Sequence, residues 1–115
     1  MITSYVTPQQ SMLYLSLVGA LDAEGADGLV NEYYDRHAPG IRQAILDLSG
    51  AESSTESGLD VLHRLSLLTQ VDGVEFTVVS RGSGVRNEVI EAAKHYWVPV
   101  VDSIELPFAS QPLIL

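Results

Sequence analysis

The sequence predicts an α/β fold: a mixed β-sheet with helices packed on it, in the order β-β-α-β-α-β-α-β. Three observations carry this. Two β-rich runs at the start are separated by only four turn residues, which is the pattern of a hairpin. Three later segments repeat apolar residues at helical spacing. Short apolar runs lie between those segments, and strands joined by helical crossovers pair in parallel through right-handed connections.

Residues 2–7 (Ile-Thr-Ser-Tyr-Val-Thr) alternate and read as the first strand, Pro8-Gln9-Gln10-Ser11 as a turn, and residues 12–18 as a second, more apolar strand. Gly19-Ala20-Leu21-Asp22 ends that strand, with Asp22 placed as an N-cap. The first helix follows, with Ala26, Leu29, Val30, Tyr33, Tyr34 and His37 on its inner face. Pro39-Gly40 stops it. The third strand is read at 43–48. The second helix is read at 57–70 through Val61, Leu62, Leu65 and Leu68, and Asp72-Gly73 turns the chain. The fourth strand is 74–79 and 80–84 is a loop. The third helix is 85–96 through Val89, Ile90 and Ala93, and 98–101 is a short last strand. Pro107 and Pro112 argue against a long final helix. The apolar tail Leu113-Ile114-Leu115 is a surface for packing on a neighbour.

The 115 residues suit a single domain, 1–115, with one core. There is no cysteine, so thiol catalysis, thiolate metal sites and disulfides are excluded, and a reducing cytoplasm is the expected address. The formal net charge of −9 repels nucleic acid and anionic lipid and suits a basic protein partner. No apolar run approaches the ~18 residues of a membrane span, and the first residues lack a basic signal-peptide start.

Residues 47–62 hold the chemistry: Asp47-Leu48-Ser49-Gly50-Ala51-Glu52-Ser53-Ser54-Thr55-Glu56-Ser57-Gly58-Leu59-Asp60-Val61-Leu62. A buried strand enters a hydroxyl-rich loop and an apolar-periodic helix leaves it. Hydroxyls and carboxylates therefore meet unpaired N–H groups at a helix start, where negative charge is favoured. In an open α/β sheet, sites form beyond the carboxyl ends of parallel strands. The loops 19–24, 49–57 and 80–84 should converge there, carrying Asp22, Glu24, Glu52, Glu56, Arg81 and Ser83.

This segment resembles the signature of the STAS domain, the fold of bacterial anti-sigma factor antagonists. The family pattern runs Asp-Leu-Ser, a short gap, then Asp-Ser-Ser-Gly-Leu. Here Asp47-Leu48-Ser49 stands at the start, and Thr55, Glu56, Ser57 and Gly58 stand at the four later positions. Gly19-Ala20-Leu21-Asp22 and Val85-Arg86 add to the likeness. The resemblance implies a non-catalytic regulatory module without a cofactor. It implies docking to a serine kinase that is also an anti-sigma factor, through Ser53, Ser54, Thr55, Glu56, Ser57 and Gly58. Asp22, Glu24, Arg81 and Ser83 are further interface candidates. The family's phosphoacceptor serine is replaced by Glu56. Two other readings stay open: an accessory subunit of a transport system, and a small-molecule or nucleotide sensor.

Local roles compete with these. Ser53-Ser54-Thr55-Glu56 has the form of a capping box, in which Glu56 only accepts a bond from a helix-start N–H. Gly82-Ser83-Gly84 reads as a turn. His37, His63 and His95 fall on three helices without metal-ligand spacing. Asp47, Ser49 and His63 lack the nucleophile elbow a hydrolytic triad needs.

Overall fold

Alternating side chains and a dense supply of Leu, Ile and Val build five strands, and in a computed structural model they form one sheet in the order β1-β2-β3-β4-β5. The structure describes residues 1–7, 11–82 and 84–102. Residues 8–10 of the expected turn, Ser83, both late prolines and the tail at 113–115 lie outside the described residues.

β1 (Ile2–Thr7) runs antiparallel to β2 (Met12–Leu21), from Ile2 opposite Leu17 to Thr7 opposite Met12. β3 (Gln43–Ser54), β4 (Glu75–Val79) and β5 (Val100–Val101) add in parallel, each beside its predecessor. The crossovers are α1 (Ala23–Arg36), α2 (Glu56–Asp72) and α3 (Arg86–Lys94). Each advances one strand in the same direction. Right-handed connections then place all three helices on one face. The main core confirms this: Leu13, Leu15, Leu17, Leu46, Leu48 and Val78 of the sheet pack with Leu29, Tyr33, Leu62, Leu65 and Val89 of the helices. A smaller cluster of Met12, Ile45 and Val79 lies on the opposite face.

The expected element order is the observed one, and several boundaries move. β2 continues past Val18 to Leu21, and β3 continues past Leu48 to Ser54. The two extensions pair with each other, through Val18–Gly50, Gly19–Ala51, Ala20–Ser53 and Leu21–Ser54. Two bulges on β3 absorb an extra residue each, after Ser16 and after Gly19 of its partner. Serine and glycine disfavour strands by propensity, but a neighbouring strand offering hydrogen bonds overrides that preference. α2 starts earlier, at Glu56, and ends later, at Asp72, where Gly73 takes the left-handed conformation (φ 71°) that closes the helix.

α3 is shorter than expected, because its chain turns through His95 to Trp97 at φ 59°. β5 shrinks to two residues. Pro99 has no N–H to donate, so only its carbonyl joins the ladder, accepting from Val78 N–H at 3.0 Å. On α1, Leu29, Val30 and Tyr33 are buried as expected, but Tyr34 is 63% exposed. Successive helical residues lie 100° apart, so the buried stripe that takes Tyr33 turns Tyr34 outward.

Candidate functional site

The carboxyl ends of β2 and β3 lead into α1 and α2 side by side; a cap fixes each helix start, and one backbone bond ties the two starts together. Asp22 caps α1, its Oδ1 accepting the Gly25 N–H at 2.9 Å. Thr55 caps α2, its Oγ1 accepting the Gly58 N–H at 3.0 Å. The Thr55 N–H in turn donates to the Leu21 carbonyl at 3.1 Å. Gly58 completes the junction. A Cβ there would stand 1.9 Å from the Leu21 oxygen, so only glycine lets α2 begin this close to β2.

These contacts correct the local reading of residues 53–58. They are not a loop. Ser53 and Ser54 end β3, Thr55 is the cap, and Glu56, Ser57 and Gly58 form the first turn of α2. The capping box does not form, because the cap falls two residues later than Ser53. That leaves Glu56 outside the cap, exposed, and with no ion pair among the described residues. Gly58 is buried, which takes it out of any contact surface.

Glu56 and Ser57 open into a concavity of about 380 Å³ between the two helices, lined also by Ala23, Asp27, Asp60 and Arg64. Arg64 Nη1 bonds Asp27 Oδ1 at 2.8 Å and bridges α2 to α1. Asp60 faces His63 at 3.9 Å. Three carboxylates thus line the concavity beside one guanidinium, which pairs with Asp27. Asp27, Asp60 and Arg64 were missed in the sequence. The available signal was the four-residue spacing of Glu56, Asp60 and Arg64, which lines them along one helix face.

The remaining candidates fall elsewhere. Asp22 and Glu24 line a separate hollow of about 330 Å³ on the β1 side of α1, with Met1, Ile2, Leu17, Ala20 and Gly25. Arg81 sits past β4, where its main-chain N–H donates to Ser49 Oγ at 2.9 Å. No ion pair among the described residues joins Arg81 to Glu56. Arg81 and Gly84 thus lie against the 49–52 end of β3, where a Cβ on Gly84 would meet the Glu52 oxygen at 3.6 Å, while Glu56 on one side and Asp22 and Glu24 on the other line different hollows.

Other singled-out residues hold the frame. Asp47 accepts the Ser49 N–H at 2.9 Å on one oxygen and the Tyr14 hydroxyl on the other. Arg86 donates to the Ser80 carbonyl and pairs with Asp102 at 2.5 Å, tying α3 to the ends of β4 and β5. His63 stacks on Tyr96 at 4.5 Å. It rides on α2, while Asp47 points to the other face of the sheet, so the triad has no geometry. No group of three or more metal-ligating side chains occurs among the described residues.

Superposition on solved structures decides the fold. The anti-sigma factor antagonist SpoIIAA, in its unphosphorylated form, matches with a TM-score of 0.63 over 99% of this chain and 98% of that one, at 10% identity. The fold is the STAS fold. The crystal structure of Mglu also matches, with a TM-score of 0.55 and 24% identity over 64% of this chain, which spans 18% of that one. No family model and no curated protein matches the sequence. At these identities, the STAS likeness fixes architecture and leaves the chemistry to the residues described above. No helix among the described residues is long and apolar enough to cross a membrane.

Proposed function

We propose that this chain is a regulatory protein-binding module of the anti-sigma factor antagonist type, without catalysis of its own, acting in a bacterial cytoplasm. Its partner is a kinase-type anti-sigma factor or a related regulator, docked over the start of α2. One observation carries the reading. The first turn of α2 is fixed from beneath by the Leu21–Thr55 and Leu21–Gly58 contacts, while Glu56 and Ser57 stand exposed above it in an open concavity. A rigid base under exposed, chemically distinct side chains suits recognition and modification.

Glu56 has no hydroxyl and cannot accept phosphate. Thr55 Oγ1 is engaged as the helix cap. Ser57 is exposed beside Glu56 and is the acceptor this geometry favours, ahead of Ser53 and Ser54 at the strand end. A phosphate on Ser57 adds about −1.5 to −2 charge next to Glu56, Asp27 and Asp60. In a packed interface that repulsion releases the partner. The Glu56 carboxylate itself weakens binding to a kinase whose ATP phosphates approach it.

The test captures partners on tagged full-length wild type and Glu56→Ser from cells that carry this gene, with ATP added to the eluted complexes. An ATP-binding kinase should be retained, more tightly by Glu56→Ser. Phosphate should appear on Ser57 in wild type and on the new serine in the variant. Capture of no such kinase by either form, or equal retention by both, overturns the reading.

A further inference from the structure

Six large apolar side chains are strongly exposed among the described residues, and three of them sit on the outer surface of α1 and α2: Tyr34 at 63%, Leu67 at 50% and Val71 at 84%. A lone exposed apolar residue is ordinary, but a row at fixed helical spacing is a surface. On α2 the outward residues Asp60, Arg64, Leu67 and Val71 are spaced four, three and four. On α1 Asp27, Asn31 and Tyr34 are spaced four and three. Such spacing lines one face of each helix along its axis, as in a coiled-coil seam.

The two seams run side by side. α1 and α2 each follow a parallel strand, so they point the same way. The Arg64–Asp27 pair joins them near their starts. At their far ends the Tyr33 hydroxyl of α1 donates to Asp72 of α2 at 2.8 Å. Between these ties the two outward faces make one surface, a trough only at its head where the concavity lies, with a graded character. Its first half is acidic, with Asp27, Glu56 and Asp60. Its second half is apolar, with Tyr34, Leu67 and Val71. From Asp60 to Val71 it runs eleven residues, or about 16 Å at ~1.5 Å per residue, which is three helical turns.

We infer that this trough is the docking surface for one amphipathic helix of a partner protein, basic at its C-terminal end and apolar at its N-terminal end, lying antiparallel to α1 and α2. Charge complementarity selects both the occupant and its direction. The chain carries −9, and the trough's head is lined by three carboxylates and one arginine, which pairs with Asp27. Lysine and arginine are favoured in the last turn of a helix, where they meet its negative dipole end. Setting that end over Asp27, Glu56 and Asp60 lays the partner's first turns on Tyr34, Leu67 and Val71. The helix–groove mode of recognition supplies the anchors in the same i, i+3, i+4 register. The inference rests on the proposal that the chain works by binding protein, and it is silent on phosphorylation.

The test uses ¹⁵N-labelled full-length protein and a synthetic helical peptide. The peptide has an Ala/Gln host, leucines at four-three spacing in its N-terminal half and three arginines on the same face of its C-terminal half. Saturable shift changes should map to Asn31, Tyr34, Asp60, Arg64, Leu67 and Val71. Val71→Asp and Asp60→Lys are both exposed changes that keep the melting temperature. Each should weaken binding at least tenfold, and the sequence-reversed peptide should bind at least fivefold more weakly. Changes mapping instead to the hollow between α2 and α3 that Leu59, Ala92 and His95 line, equal binding of the reversed peptide, indifference to Val71→Asp, or no saturation would each overturn the inference. If the peptide binds as described while no kinase is captured, the trough stands and the proposed partner class falls. If a kinase is captured equally by wild type and Val71→Asp, the reverse holds.

Discussion

Replacing Gly58 by alanine sets two magnitudes against each other. By helix propensity alone, alanine in the first turn of α2 should stabilise by up to about 1 kcal/mol relative to glycine. The junction says the opposite. The new Cβ would lie 1.9 Å from the Leu21 oxygen, 2.3 Å from its carbonyl carbon and 2.8 Å from the Asp22 nitrogen, all backbone atoms that cannot rotate away. Relief requires α2 to retreat by more than an ångström. That stretches the Thr55 N–H to Leu21 bond and disturbs both helix caps. Overpacking of this sort costs about 1–3 kcal/mol, and a lost hydrogen bond adds about 1. After the propensity gain, a net loss of roughly 2 kcal/mol remains, which lowers the melting temperature by roughly 8–12 °C. Urea unfolding followed by circular dichroism measures it. Gly28→Ala is the matched control, because its Cβ meets only the tip of Ile2 at 2.5 Å, a side-chain end that can swing aside. It should be neutral or slightly stabilising. A Gly58→Ala protein as stable as wild type would show that the helix starts are not clamped as described.

Leu29→Ala, at a fully buried position of α1, should cost about 2–5 kcal/mol, and a loss below ~1 would mean the α1 face is misassigned. Thr55→Ala removes the α2 cap and should cost about 1 kcal/mol, with Thr55→Ser recovering most of it in the same urea titration. Alkaline unfolding should reflect two phenols. Burial, then the bond to Asp72, pushes Tyr33 above its ordinary value, and burial, then the bond to Asp47, does the same to Tyr14. A raised folded value contributes stability that is complete below about pH 10, the unfolded tyrosine value, and lost as the pH climbs beyond it. Urea midpoints should therefore fall above pH ~10, and the fall should be shallower in Tyr33→Phe/Tyr14→Phe. An unchanged slope in that double variant contradicts the assignment.

The sheet and helices were legible because their signals are local and strong. Leu29, Val30 and Tyr33 announce a buried helix face by spacing alone, and Met12 to Leu17 announce a strand by their apolar run. The end of β3 was not legible. Ser49 to Ser54 look like a loop in isolation and become a strand only because Val18 to Leu21 run alongside, a fact of pairing rather than of either segment. The site was half legible for the same reason. Asp22 could be placed as a cap from its own neighbourhood. Assigning the second cap to Thr55 needed the position of α2 against Leu21, and that also freed Glu56. Asp27 and Arg64 are 37 residues apart in sequence, so their meeting across α1 and α2 belongs to the crossover geometry.

Glu56 gains its meaning from that geometry. Within a capping box its charge would be spent on backbone N–H groups, and it would present little to a partner. At the first position of α2 it is exposed, in the favourable field of the helix start, and one residue from a free serine side chain. A carboxylate there carries about −1 on a planar group, against about −1.5 to −2 on a tetrahedral phosphate. On the proposed reading it supplies part of the charge of a modified state, and Ser57 takes the remainder. With Asp27 and Asp60 already at the same concavity, each added charge raises the work of closing an acidic or ATP-bearing surface over it. A basic helix end would feel the opposite and be drawn in. On the proposed reading the same three carboxylates discriminate by charge between an acidic and a basic partner face, without any movement of the clamped backbone beneath them.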